Sequence, residues 1–184
     1  MNLLKEACRA APAGGTWDEE PSLYLKGRRA KPCWAIAELD YRDPAQTRID
    51  SAQIVLDSRS RAPRDILDAL RSGHFYSIQM SDHAIALRRF SLSSGGKSAG
   101  SGETLVGASP PRLDVELAYE DGASGEANLE IIRDGEAVKK EDVKIPGSWS
   151  YPFDASASKS FFRIIVRQGN NILISNPIFA SSKA

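Results

Sequence analysis

The stretch RLDVELAYEDG, residues 112–122, decides the fold class of this chain. Its apolar side chains Val115, Leu117 and Tyr119 alternate with polar or small ones, which is the period of a β-strand with one buried and one solvated face. The Asp-Gly pair at 121–122 is typical of a tight hairpin turn. The stretch therefore predicts an antiparallel strand followed by a turn.

The same pattern recurs over most of the remaining chain. Asp134-Gly135 and Gly169-Asn170 mark further turns, and the Gly/Ser-rich residues 91–105 predict a hairpin or loop. Short alternating strands at this spacing predict an antiparallel β-sandwich over residues 83–184. The segments expected to be strands are AIALRRFSL, ANLEIIRDG, EAVKKEDVKI, SFFRIIVRQG and NNILISNPIF, residues 84–92, 127–135, 136–145, 160–169 and 170–179.

Residues 1–82 mix helix and strand signals. TWDEEPSLYLKG, residues 16–27, has acids in its first turn and a glycine stop, so it predicts a helix. RSRAPRDILDALRSGHFYSIQM, residues 59–80, predicts a helix that ends at Gly73 and then a strand. A further helix is expected over residues 2–10, and strands are expected at PCWAIAEL and SAQIVLD, residues 32–39 and 51–57.

Two hydrophobic cores are expected from these elements. The first comprises Leu23, Trp34, Ile36, Ile54, Leu56, Ile66, Leu70, Phe75 and Tyr76, and the second Val115, Leu117, Leu129, Ile131, Phe162, Ile164, Val166, Leu173 and Ile178.

The composition argues against nucleic acid and the membrane as partners of this chain. The 184 residues include 24 Lys and Arg against 24 Asp and Glu, and neither sign forms a long block, so nucleic acid is not an expected partner. The apolar runs fall short of the roughly 20 residues that span a bilayer, and charges interrupt the N-terminal apolar stretch where a secretory signal would be continuous. We therefore expect a soluble chain without a signal peptide or transmembrane segment, and the compartment stays unknown.

Few residues of this chain can bind a transition metal. Cys8 and Cys33 are the only cysteines and match no zinc or redox spacing, which leaves a disulfide or two buried thiols as alternatives. The histidines are His74 and His83. His74 is expected either as a general base or as a favourable cation at a helix C-terminus, and His83 with Asp82 either as a metal-binding pair or as a solvated turn.

Two other motifs have alternative interpretations. SSGGKS, residues 93–98, resembles a phosphate loop, but Ser91 stands where that loop needs a glycine, and no helix is expected to follow. Trp149, Tyr151 and Phe153 alternate, so they share one face of an extended segment. They form either a platform for a sugar ring or a protein partner, or a part of the core.

Several segments together resemble a known family. TWDEEPSLYLKG, WAIAELDY at 34–41, DILDALRSGHFY at 65–76 and the terminal SNPIF at 175–179 resemble the C-terminal portion of PHP-type (polymerase and histidinol phosphatase) metal-dependent phosphoesterases. The similar branch carries an appended β-domain. The resemblance implies a distorted β/α barrel and hydrolysis of phosphoesters by a water that divalent metals activate.

The resemblance places the family's Asp-x-His motif on Asp40, Tyr41 and Arg42. Asp40 keeps the carboxylate, but Arg42 replaces the imidazole, and a guanidinium cannot lose its proton to become a ligand. The other ligands that the resemblance implies lie upstream, and the 39 residues before Asp40 contain no histidine. We therefore expect no metal site, no catalytic residue and no cofactor in this chain. Divalent metals are expected only in a complete family member.

We accordingly expect an α+β protein, with a partial β/α-barrel remnant over residues 1–82 and an antiparallel β-sandwich over 83–184. The expected function is that of a non-catalytic C-terminal interaction or substrate-positioning portion of a PHP-like phosphoesterase. An upstream barrel or a second copy of the chain is the expected partner. The strand edge near WAIAEL is expected to be covered by the N-terminal helices or by a second copy of the chain. One alternative is a hydrolase that is active only with its upstream barrel. Another is a carbohydrate-binding sandwich that uses Trp149 and Tyr151.

Overall fold

The computed structural model of the chain describes residues 12–39, 48–80, 83–107, 110–154 and 159–182. The helices in these ranges are α1 (Thr16–Leu25) and α2 (Pro63–Ser72). The strands are β1 (Ala52–Leu56), β2 (Phe75–Gln79), β3 (Ile85–Ser94), β4 (Lys97–Ala99), β5 (Thr104–Val106), β6 (Arg112–Tyr119), β7 (Gly125–Arg133), β8 (Glu136–Ile145), β9 (Gly147–Pro152), β10 (Ser160–Gln168), β11 (Asn171–Ser175) and β12 (Ile178–Ser181).

The strands form two sheets. The smaller sheet has the order β4-β3-β6-β9, and all of its neighbours are antiparallel. The larger sheet runs β1-β2-β11-β10-β12-β5, with β7 and β8 beyond β10, and only β12 and β5 are parallel. Residues of both sheets share one hydrophobic core. The predicted α+β class with a β-sandwich is therefore confirmed, and the described strands do not close into a barrel.

The predicted core of the sandwich is confirmed. Its nine residues are each at most 1% exposed, and they come from β6, β7, β10 and β11 and from the start of β12. Alternation explains this result, because every second side chain of a strand points to the same face. The larger sheet consequently has an inner face towards the smaller sheet and an outer face turned away from it.

The predicted first core is only partly correct. Phe75 is buried, but Ile36 is 56% exposed, and the other seven residues are half-buried. Residues 32–39 also do not form the predicted strand. Within this segment, the backbone of Ala35 is hydrogen-bonded to the side chains of Ser77 and Asn176 and not to a neighbouring strand.

The strands on either side of residue 82 belong to the same sheet. β1 and β2, which were expected in a barrel remnant, are antiparallel neighbours. β2 also pairs with β11, with Ile78 opposite Leu173, and both of these side chains lie in the sandwich core. The N-terminal segment therefore extends the larger sheet of the sandwich.

A β-bulge in β3 shapes the surface beside β1 and β2. The register of β3 with β6 shifts between Leu87 and Arg89, so Arg88 is the extra residue. Bulges redirect side chains, and here both arginines are exposed. Among the described helices, neither is long and apolar enough to span a membrane.

Candidate functional sites

Asn176 joins three of the four segments on which the family resemblance depends. Its side chain is 1% exposed and lies between β11 and β12, where Pro177 cannot continue the ladder. Its Oδ1 accepts a hydrogen bond from the Ala35 N–H at 2.9 Å, and its Nδ2 donates to the carbonyl oxygens of Phe75 at 3.2 Å and Gly73 at 3.4 Å. The buried amide is thereby satisfied at both ends.

Further contacts hold residues 34–36, which we call the anchored segment. Ser77 Oγ donates to the Ala35 carbonyl at 3.1 Å, and Trp34 Nε1 donates to the Arg71 carbonyl at 2.9 Å. The Trp34 ring lies against Gly73, where an added Cβ would be only 2.6 Å from it. Gly73 also has a φ of 75°, a left-handed conformation that glycine tolerates best. The position therefore requires glycine both for its backbone and for the approach of Trp34.

The anchored segment leads along the chain towards Asp40. Asp40, Tyr41 and Arg42 lie outside the described residues, so the expectations for Asp40 and Arg42 stay predictions. The same holds for Cys8, for Asp82 and for the helix expected over residues 2–10.

Helix α1 is attached to the outer face by a buried ion pair. Arg163 alternates along β10 with core residues and is fully buried. Its Nε and Nη2 donate to Asp18 Oδ1 and Oδ2 at 2.6 and 2.7 Å, and its Cζ lies 4.8 Å from the centre of the Trp17 ring. This bidentate, stacked geometry is one that arginine alone provides. The pair fixes the position of α1 on the sheet.

A groove of about 390 Å³ opens where β1 and β2 meet β3 and the loop between β4 and β5. We call it the β1 groove. Val55, Leu56 and Tyr76 supply apolar surface. The Tyr76 hydroxyl accepts a hydrogen bond from the Leu87 N–H at 3.2 Å, and burial raises the pKa of this tyrosine. The groove thus has an apolar wall with polar groups beside it.

Charged side chains surround the apolar wall of the groove. His74 Nε2 lies 3.9 Å from Glu103 Oε1, and Arg88 Nη2 lies 3.4 Å from Glu120 Oε2. Asp57 is exposed, and its carboxylate has no hydrogen-bond or ion-pair partner among the described residues. These groups can bind a charged ligand by ion pairs and hydrogen bonds. His74 thus follows a helix C-terminus, as expected, and faces a carboxylate.

The aromatic residues of β9, and Phe153 directly after it, are half-buried. Trp149, Tyr151 and Phe153 pack against the sandwich core, and the Tyr151 hydroxyl donates a hydrogen bond to Glu141. Burial, followed by Glu141, raises the pKa of Tyr151 well above its usual value. One edge of these side chains therefore belongs to the core, and their use as a sugar platform stays a prediction.

The remaining motifs form turns. SSGGKS forms the turn of the β3–β4 hairpin. The element that follows it is therefore strand β4, and not the helix that a phosphate loop needs. His83 Nδ1 lies 2.5 Å from Asp121 Oδ2. The Ala123 N–H, and then His83, lower the pKa of Asp121. Within the described ranges, no three His, Cys, Asp or Glu side chains come together as a metal site would need.

Comparisons with known proteins identify no family for this chain. No model of a protein family matches the chain, and no curated protein matches it.

Sequence reasoning missed the role of Asn176 and the β1 groove. SNPI was noted only for its resemblance, although an Asn-Pro pair after a strand is a signal for a break in the ladder. The groove has no comparable signal, because its lining comes from five strands or loops that are distant in sequence.

Proposed function

We propose that this chain is the non-catalytic C-terminal portion of a PHP-like phosphoesterase, and that the sandwich serves to position the segment that leads to Asp40. The observation that carries the proposal is the set of three hydrogen bonds of Asn176. They link WAIAELDY, the GHFY unit and SNPI, which are three of the four segments of the resemblance. A buried side chain that holds backbone groups of distant segments is suited to positioning.

The donor chemistry around Asp40 supports a non-catalytic role. The site that the resemblance implies needs several neutral imidazoles and carboxylates around two or three metals. Arg42 offers a permanent positive charge where one imidazole belongs, and the chain has no histidine before Asp40. The residues present therefore do not fit that metal site, and no reaction step is assigned to it.

Measurements of metal content and turnover test the absence of catalysis. We expect the purified chain, after exposure to Mn²⁺ or Zn²⁺ and desalting, to hold less than one metal per chain and to hydrolyse p-nitrophenyl phosphate no faster than buffer. Asp40→Ala should leave both results unchanged. Stoichiometric metal with turnover that Asp40→Ala abolishes would overturn the proposal in favour of an active hydrolase.

The positioning role has its own test in hydrogen exchange. Asn176→Ala leaves the Ala35 N–H without its acceptor, and a lost buried hydrogen bond of about 2 kcal/mol should speed exchange of this amide by roughly 30-fold. Exchange at β6 should change much less. Asn128→Ala is the matched control, because the Asn128 amide donates its one described side-chain hydrogen bond to the side chain of Asp142, at 3.0 Å, and to no backbone group. Equal exchange of Ala35 in all three proteins would contradict the role of Asn176.

A further inference from the structure

Strands β1 and β8 lie at opposite ends of the larger sheet, and they differ in how well they are protected against the addition of another strand. β8 carries many charges, which oppose the addition of another strand. β1, with the sequence AQIVL, has none. The charged residues of β8 are Glu136, Lys139, Lys140, Glu141, Asp142 and Lys144.

The outer edge of β1 has open hydrogen-bonding groups. The Met80 N–H donates to Ser51 and the Asp57 N–H donates to His74, so the odd-numbered residues of this antiparallel pair face β2. The N–H and C=O groups of Ala52, Ile54 and Leu56 therefore point away from β2. No described group is hydrogen-bonded to them there. This edge can accept the backbone of one more strand.

The β1 groove lies beside this edge and has a distinct charge pattern. Glu120 faces Arg88 and Glu103 faces His74, whereas the carboxylate of Asp57 has no described partner. Val55 and Leu56 form the wall next to Asp57. A long basic side chain suits this arrangement, because its methylene stem can cover the apolar wall while its head reaches the carboxylates.

We propose that the outer edge of β1 and the β1 groove bind an extended peptide segment of a partner protein that carries a lysine or arginine side chain. The peptide backbone adds a strand to β1, and every second side chain then points towards the groove. The basic side chain pairs with Asp57 and Glu103, which sets the register. The proposed contacts differ from those of the anchored segment, because they use the backbone of β1 and the carboxylates of Asp57 and Glu103.

NMR titration with matched peptides tests the proposal. The probes are two capped heptapeptides of alternating valine and threonine, one with lysine and one with glutamate at its centre, added to millimolar concentration. The lysine peptide should shift and protect the amides of Ala52, Ile54 and Leu56 and leave those of β8 unchanged. It should bind about fivefold more tightly than the glutamate peptide, as expected for a partly exposed ion pair.

Two variants separate the backbone contact from the charge contact. Asp57→Asn should remove most of the preference for lysine, whereas Asp154→Asn, at an exposed carboxylate far along the chain, should keep it. Ile54→Pro removes an outward N–H that makes no bond to β2, so binding should be lost while the dispersed spectrum of the folded protein persists.

Three results would overturn the proposal. The first is no response of β1 to either peptide, and the second is an equal response to both. The third is protection of the β1 amides without peptide in a protein that sediments as a dimer, which would assign the edge to a second copy of the chain.

Discussion

The two faces of the larger sheet differ in the polar groups that they bury. On the inner face, fully buried apolar side chains such as Leu129, Ile164 and Leu173 pack against the smaller sheet. The outer face also buries apolar side chains, such as Phe161 and Ile165, but it buries charged and polar groups beside them. Arg163 lies against Asp18, and Asn176 binds three backbone groups.

The inner face mainly stabilises the sandwich, whereas the polar groups of the outer face determine where other segments pack on it. Apolar burial is non-directional, so the inner face can stabilise the sandwich with many combinations of side chains. A buried polar group costs free energy unless its partner has the right geometry. The outer face therefore accepts α1 and the anchored segment in one arrangement. Glu130 follows the same rule, since it is 5% exposed and lies 3.1 Å from Arg167 and 3.2 Å from Lys140.

Truncating a buried side chain of the inner face should cause the largest loss of stability. Phe162 is fully buried, and its ring centre lies 5.0 Å from that of Phe153. Phe162→Ala should lower the free energy of unfolding by about 4 kcal/mol through lost burial and a cavity. Urea denaturation measures this change. Leu67→Ala, at a side chain that is 47% exposed, should cost less than about 1 kcal/mol. Similar losses in both variants would contradict a core shared by the two sheets.

Breaking the ion pair between Asp18 and Arg163 on the outer face should cause the next largest loss of stability. Asp18→Ala leaves the guanidinium of Arg163 buried without its carboxylate, so we expect a loss of about 3 kcal/mol in urea denaturation. The double variant Asp18→Leu/Arg163→Met should recover most of this loss, since it buries no charge. Asp68→Ala, at an exposed carboxylate on α2, should change stability by less than about 0.5 kcal/mol. A double variant as unstable as Asp18→Ala would show that shape, and not charge, decides this contact.

A smaller effect on stability is expected from the hydrogen bond between Tyr151 of β9 and Glu141 of β8, which joins the edges of the two sheets. Burial raises the pKa of Tyr151 above its usual value, and the hydrogen bond to Glu141 adds to this. Below pH 10 the tyrosine is protonated in both the folded and unfolded states. Above pH 10 it ionises first in the unfolded chain, so stability falls as pH rises.

Tyr151→Phe should make this alkaline loss shallower, by less than about 1 kcal/mol per pH unit because solvent screens the half-buried side chain. Some loss should persist, since burial also raises the pKa of Tyr76 and Tyr119. Free energies of unfolding at pH 9, 10 and 11 provide the comparison. Parallel pH profiles of the two proteins would contradict a raised pKa at Tyr151.

The bounds of two strands show what local pattern can predict. RLDVELAY and EAVKKEDVKI match β6 and β8 residue for residue. The alternation of RLDVELAY and the turn residues that flank both strands act within a few positions, so the sequence contains the signal for their bounds. PCWAIAEL has a comparable apolar content, yet residues 32–39 are not a strand. A strand needs a backbone partner, and composition does not say whether one is present.

The candidate sites show the same limit. Asp40 was singled out for its place after an apolar run and for a family resemblance, and Trp149 and Tyr151 for their alternation. Asn176 and Asp57 were not singled out as site residues. Asn176 stands out because it binds the backbone of the anchored segment. Asp57 belongs to the proposed peptide site because it lies beside the outer edge of β1, which has no partner strand among the described residues.

The sequence by itself determined the β-sandwich, the turns that divide it and the residues of its core, because alternation and turn chemistry act over short distances along the chain. Only the tertiary structure decided that Asn176 meets Ala35, 141 positions away, and that the outer edge of β1 pairs with no other described strand. Such contacts depend on which buried backbone groups the packed sheets bring within hydrogen-bonding distance, and no local pattern specifies that pairing.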